Sequence, residues 1–255
     1  MGVNAIIIGA GLSGIAMAHK LKHEIGFEDF TIYEKLDGIR WTGCDVHSQL
    51  CSFSFNLNPN WSKELAEQGE ILQYIEDTVD KFHLRPHINT FVECVGAAWD
   101  SESAQWIVQM KDLKTGINFT RRSTRFVSAV GGISFPRDVH FEGMEDFKGP
   151  MFHTARWRHD VDYTGKRVYA RSPQWYHERP NHQSSPLEKA AFRYLPILMR
   201  LRRWNIFWSI DKQSYAYRGT EDGTKQRLKE AQHARNYIYK KAPEKYHDIL
   251  VPDFE

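Results

Sequence analysis

Three glycines stand at a spacing that can cradle phosphate: Gly9-x-Gly11-x-x-Gly14. They follow the apolar run Ala5-Ile6-Ile7-Ile8 and lead into Ile15-Ala16-Met17-Ala18, while Glu34 stands 20 residues beyond Gly14. Each position has a mechanical use. Gly9 permits the tight turn, Gly11 lets backbone approach a pyrophosphate, and Gly14 lets a helix lie close on a strand. The amides opening such a helix, with its dipole, attract the phosphates. Glu34 can accept hydrogen bonds from a ribose diol and would repel a 2′-phosphate. A glycine-rich turn with no ligand is the competing reading, and the combination of strand, helix and acid disfavours it. The ligand these residues call for is FAD or NAD, not NADP.

The elements that must hold these residues can be read around them. Val3–Ile8 reads as a strand, Ile15 to about His23 as a helix, and Phe30–Tyr33 as a second strand closed by Glu34, one βαβ unit. Ser62 is placed to cap a helix carrying Leu65, Ile71, Leu72, Tyr74, Ile75 and Val79. Residues 86–130 read as an antiparallel meander inserted in the nucleotide-binding fold. Gln105–Met110 alternates, Lys114-Thr115-Gly116 turns, Ile117–Thr120 returns, and Phe126–Val130 is a further buried strand. Gly165 to Ala170 starts like another strand. Leu187–Ile210 is helical with an interruption at Pro196, and Thr224 to about Lys241 is a charged helix stopped by Pro243. The fold class is α/β: a Rossmann-type dinucleotide-binding domain over 1–165 and a helical region over 166–255.

Composition narrows the field further. At 255 residues, with 34 Lys+Arg against 32 Asp+Glu, the chain is neither an acidic disordered tail nor a strongly basic nucleic-acid binder. A mean hydropathy of −0.57 excludes a membrane-span composition. Cys44, Cys51 and Cys94 have no C-x-x-C spacing, which excludes a disulfide scaffold and a cysteine-rich zinc module, and a reduced cytoplasmic setting is the default. The near-neutral total hides a split. Residues 1–150 carry 14 cations and 20 anions, the remainder 20 and 12.

Downstream motifs choose between FAD and NAD. Ser128-Ala129-Val130-Gly131-Gly132 is similar to the second flavin-side strand of two-dinucleotide-domain flavoproteins. Phe147-x-Gly149-x-x-x-His153-x-x-x-Trp157 resembles the F-x-G-x-x-x-H-x-x-x-W fingerprint of Baeyer–Villiger monooxygenases and their flavin-containing monooxygenase relatives. Gly43 to Ser48, Ser52 to Phe55, Asn58-Pro59 and Trp61 resemble that family's flavin-proximal segment, and Gly165-Lys166-Arg167-Val168 the start of its NADPH domain. The resemblance runs along essentially the whole chain yet spans only about the N-terminal half of a family member. It implies FAD as cofactor and NADPH as reductant. It also implies oxygen insertion beside the carbonyl of a ketone or polyketide-like substrate, in secondary metabolite tailoring. Beside Gly9, Gly11, Gly14 and Glu34, it adds Trp41, Asp45 and Ser48 near the flavin ring or ribityl chain, with Cys94 completing the cofactor-side set.

The departures shape the expectation equally. Ile39-Arg40-Trp41-Thr42 stands where the family has a longer flavin-lining segment. Val168-Tyr169-Ala170 leads into Arg171-Ser172-Pro173-Gln174-Trp175, so the second G-x-G-x-x-G is absent and 166–255 reads as a remnant of an NADPH domain. No residue takes the part of the family's catalytic arginine, and none is assigned as catalytic. The expectation is an FAD-contacting monooxygenase fragment without independent turnover. A non-redox accessory protein keeping the half-fold is the alternative, and an incomplete reading of a longer enzyme would explain both gaps. A partner protein or oligomer covering 166–255 is expected; nucleic acid and a membrane span are not.

Four weaker signals have bland readings. His19 and His23 have the spacing of a metal pair without a third ligand, and a solvated helix face is preferred. Tyr237-x-x-x-Lys241 matches a dehydrogenase dyad at chance level. His153 is read as a linker residue rather than a proton shuttle. Arg200-Leu201-Arg202-Arg203-Trp204 with Trp208 suggests a membrane-surface or nucleic-acid contact, but a cationic helix face lacking its acidic partners is preferred.

Overall fold

The computed structural model describes residues 2–39, 46–132, 139–153, 158, 160–162, 164–165 and 181–252. Trp41, Asp45, Trp157 and the strand expected at 166–170 lie outside the described residues. The chain divides into two compact units. One comprises Met1–Asp45, Phe53–Asn58 and Ala66–Arg158, the other Val46–Ser52, Pro59–Leu65 and His159–Glu255.

In the first unit, β1 (Ala5–Ile8) is buried at all four positions and lies between β2 (Phe30–Tyr33) and β7 (Arg125–Ser128). A strand covered on both faces must be apolar throughout, which is why Ala-Ile-Ile-Ile shows no alternation. The parallel sheet runs β3-β2-β1-β7, with β3 at Ile88–Asn89. Registers such as Ile8↔Tyr33 and Ile8↔Ser128 align the C-terminal ends of the central strands. Between β1 and β2, α1 (Leu12–His19) buries Gly14, Ile15, Ala18 and His19 and continues into a π-helical stretch, Lys20–Ile25, closed by Gly26 at φ 72°.

An antiparallel sheet of β4 (Val92–Asp100), β5 (Gln105–Asp112) and β6 (Asn118–Ser123) follows. Asp112 makes the β5–β6 turn by accepting the amides of Lys114 and Thr115. Val92, Val108 and Met110 from this sheet join Ile6, Ile8 and Tyr33 of the parallel sheet in one buried cluster. The antiparallel pairing occupies 92–123, while β3 and β7 on either side of it join the parallel sheet. The helix expected from Ser62 starts later: α2 spans Gln68–Lys81 and buries Ile71, Tyr74, Ile75, Thr78 and Val79. Leu65 lies before it, in a bend where Ser48 N donates to Glu64 O.

In the second unit, Ser185 caps α3 (Pro186–Tyr194) by accepting from Glu188 N. Pro196 then opens α4 (Pro196–Ser214). Thr220 caps α5 (Glu221–Lys241), and Ala242-Pro243 ends it before α6 (His247–Leu250). The interruption at Pro196 and the stop at Pro243 are where the sequence puts them.

Candidate functional site

The glycine loop sits where β1 ends. Gly9 has φ +105°, and a Cβ there would stand 2.5 Å from Ala129 O, so the loop presses on the end of β7. A Cβ on Gly14 would stand 1.9 Å from Gly9 O, which fixes how closely α1 lies on the turn. Gly11 is different. Its backbone is extended, at φ −78° and ψ −172°, and a Cβ there would meet nothing within 4 Å. Its bareness therefore serves no contact inside the protein and leaves the backbone open to an incoming group. Gly11 is also the N-cap of α1, its carbonyl accepting from Ile15 N at 3.0 Å. The first-turn amides of a helix have no acceptors of their own within it, and no acidic residue stands in the first turn to compete for them.

Glu34 follows β2 and is buried. Its Oε2 accepts from Ala10 N at 2.8 Å and its Oε1 from Leu36 N at 2.9 Å. The carboxylate thus ties the glycine loop to the β2 end, and each oxygen retains a lone pair for a hydroxyl group. Lys35, next in sequence, is drawn to Glu93 at 2.6 Å, so this cation is paired with a carboxylate instead of waiting for a phosphate. This donor set fits the ADP half of a dinucleotide: amides and open backbone for pyrophosphate, a fixed acceptor for a ribose.

The remaining site expectations fall in other surroundings. Ser48 is fully buried in a 3₁₀ turn, its hydroxyl donating toward Lys63 O and Glu64 O at 3.1 and 3.0 Å. Cys94 lies half-buried on β4 against the shared apolar cluster, its thiol directed at Gly96 O at 3.7 Å. Burial pushes that thiol up from its ordinary value. Phe147, Gly149 and His153 lie in irregular chain after a 3₁₀ turn at Met144–Asp146, and a Cβ on Gly149 would stand 2.5 Å from the Phe147 ring. Tyr237 and Lys241 are one turn apart at the end of α5.

Two expectations are overturned. His19 is not on a solvated face: it is 6% exposed, stacked on Phe55 at 3.6 Å and edge-on to Phe82 at 4.5 Å. Burial, then the neighbouring His23, pushes its imidazole below the ordinary value. No group of three or more potential metal ligands exists among the described residues. Two of the three arginines of α4, Arg202 and Arg203, do not lack partners either. Arg202 donates to Glu64 at 3.0 Å, and Arg203 donates to Gln49 O and Ser52 O.

Sequence reasoning missed the cluster around Glu64. This buried carboxylate receives Arg202 and faces His47 Nδ1 at 3.0 Å and His182 Nδ1 at 2.8 Å. Its members are spread from position 47 to position 202, so no local spacing announces it. No described helix is long and apolar enough to cross a membrane.

Comparison with known proteins now bears on this geometry. The family description "NAD(P)-binding Rossmann-like domain" matches residues 7–78, the segment that contains the glycine loop, Glu34 and most of α2. A Baeyer–Villiger monooxygenase of Pseudomonas aeruginosa is 33% identical over 235 residues, covering 79% of this chain and 44% of that protein. One from Streptomyces coelicolor is 32% identical, covering 82% and 45%. An FAD-binding monooxygenase of Aspergillus terreus is 35% identical over 177 residues, covering 65% and 31%. Among solved structures, a closed cyclohexanone monooxygenase has a TM-score of 0.77 at 22% identity, covering 99% of this chain and 60% of that one, a likeness of fold. A steroid monooxygenase bound to NADP has a TM-score of 0.63 at 27% identity, covering 75% and 43%. The chain spans less than half the length of the curated relatives named here.

Proposed function

The chain is a homologue of the FAD-binding Baeyer–Villiger monooxygenases along about four-fifths of its own length, and on that premise we propose that it binds FAD at the β1–α1–β2 turn. Gly11 and the first-turn amides of α1 hold the pyrophosphate. Glu34 accepts from the adenosine ribose while keeping Ala10 and Leu36 in place. Gly9 and Gly14 set the closeness of the turn. The observation that carries this reading is the open space at Gly11, a glycine that no internal contact requires.

Bound FAD would supply the redox chemistry, here oxygen insertion beside a ketone carbonyl, a reading supported by the likeness to Baeyer–Villiger monooxygenases at 32–33% identity. This chain's contribution is to bind and orient the adenosine end. Residues 1–255 carry one phosphate-cradling glycine loop, and this reading commits it to FAD, leaving NADPH no loop within them. The protein is therefore the flavin-holding part of a monooxygenase, with a ketone as substrate class and the cytoplasm as its setting.

Purified protein will be yellow, or become so with added FAD, and will release FAD on denaturation. Colourless protein that ignores added FAD favours the accessory-protein alternative. Anaerobic mixing of the flavin-loaded protein with NADPH will leave the flavin oxidised over seconds. Rapid bleaching would overturn the missing hydride-donor site without touching the FAD assignment.

A further inference from the structure

Helix α4 presents its polarity inside out. At about 100° per residue, Met199, Arg202, Arg203 and Ile206 share one face. Met199 and Ile206 are buried, and the two arginines reach Glu64 and the carbonyls of Gln49 and Ser52. The opposite face carries Ile197, Leu201, Trp204 and Trp208, which are 59, 52, 63 and 47% exposed. The two indoles stand edge to face at 6.0 Å. A groove of about 530 Å³ runs beside them, lined by Leu201, Trp204, Asn205, Trp208, Ser209 and Lys212. Two tryptophans and two aliphatic side chains along one exposed stripe are the composition of an interface core rather than of a solvated helix. With Arg202 and Arg203 turned inward, the outward face retains too little positive charge to hold an anionic membrane or a nucleic acid.

The charges flanking the stripe say what covers it. Arg200 and Asp211 are 11 residues apart, which places them about 20° from each other around the helix and about 16 Å apart along it. They therefore bracket the tryptophans on one flank, with opposite signs. Neither side chain has an ion-pair partner among the described residues. A second α4 running antiparallel, on a twofold axis that crosses the helix between Asn205 and Ile206, sets Arg200 opposite the partner's Asp211. Symmetry repeats the pair at the other end, with Trp204 facing the partner's Phe207 between them. An isologous contact requires such a self-complementary patch.

We propose that α4 is the contact helix of a homodimer, two copies joining antiparallel through Leu201, Trp204 and Trp208, with paired Arg200–Asp211 contacts fixing the register. The contact is one helix long, below the usual size of a permanent interface, so it forms and dissociates in the micromolar range.

Sedimentation velocity of the full chain from about 1 to about 100 µM tests this. A monomer–dimer equilibrium is expected, and Trp204→Asp abolishes it. Arg200→Asp and Asp211→Arg each place two like-charge pairs in the dimer and raise its Kd about tenfold. The double variant R200D/D211R restores the pairs in reverse and returns Kd to within about threefold of the starting value. Both charged positions are on the surface, so circular dichroism will be unchanged in all three charge variants. A monomer at every concentration overturns the proposal, as does a double variant no better than its parents. Flotation with phosphatidylserine-containing vesicles in place of self-association also overturns it, by giving the face to lipid.

Discussion

Replacing Gly11 by alanine separates a nucleotide-binding glycine from a merely structural one. The backbone there is extended, a conformation any residue adopts, and the added methyl meets nothing within 4 Å. The folded protein therefore gives up no contact, while the unfolded chain loses freedom. Stability of the apoprotein should stay level or rise by up to about 1 kcal/mol. A pyrophosphate lying against that backbone meets the methyl directly. Losing one charge-assisted amide contact to phosphate is worth about 1.5–3 kcal/mol, which raises the Kd for FAD by about 10- to 150-fold. Gly14→Ala makes the opposite pattern: its Cβ would stand 1.9 Å from Gly9 O, so turn and helix must separate. That variant loses stability first and FAD as a consequence. Urea unfolding of both apoproteins and a flavin-fluorescence titration of each give the four numbers needed. A Gly11→Ala protein that binds FAD like the parent refutes the placement of the pyrophosphate, whatever else the protein binds.

Three further outcomes follow from the same geometry. Glu34→Ala strips the acceptor from the buried amide of Ala10 and the half-buried amide of Leu36, a loss of about 2–4 kcal/mol in urea unfolding even without flavin. Glu34→Gln, which keeps one carbonyl oxygen, should fall between. Burial, then His23, holds the His19 pKa below the unfolded value of 6.5, so folding favours its neutral form. Its share of stability is complete above about pH 6.5, is lost as pH falls through the lowered folded value, and then levels off. His19→Phe, which preserves the stack on Phe55, should flatten that part of the stability–pH curve, and a curve of unchanged slope would sink the assignment. Glu64→Ala leaves Arg202 and two histidines facing an empty position. The Arg202 side chain is 38% exposed, so solvent screens the loss to about 1–3 kcal/mol, to be read from thermal unfolding against Glu64→Gln.

What the sequence made legible was local. The Gly9–Gly14 turn, β2 ending at Glu34, the Lys114–Gly116 turn and the proline breaks at 196 and 243 all follow from residue chemistry within a few positions. Ser62 misled because a good cap residue says nothing of a competing partner. Here Ser48 holds the Glu64 carbonyl, and the helix does not start until Gln68. His19 misled for a related reason. It shares a helix face with His23, four residues on, yet Phe55, 36 residues on, folds over it and makes it a core ring.

The arginine run on α4 shows why such failures concentrate where charge and apolar residues alternate densely. Between residues 189 and 210 there are five cations and no acid, with large apolar side chains at almost every step, so the helix has no strongly polar side to turn outward. Its orientation is left to distant chemistry. One buried carboxylate, Glu64, and two carbonyls, of Gln49 and Ser52, draw Arg202 and Arg203 inward, because a buried acceptor gains most from a charged donor. The basic excess beyond residue 150 is thus partly internal, balanced against a carboxylate from the acidic part of the chain. An apolar stripe on α4 is the other side of the same choice. If the Glu64 cluster sets the helix orientation, then Glu64→Gln, which keeps the size but removes the charge, should weaken self-association as well as stability. A variant that lost stability while dimerising like the parent would show instead that α4 holds its orientation by Met199 and Ile206 alone.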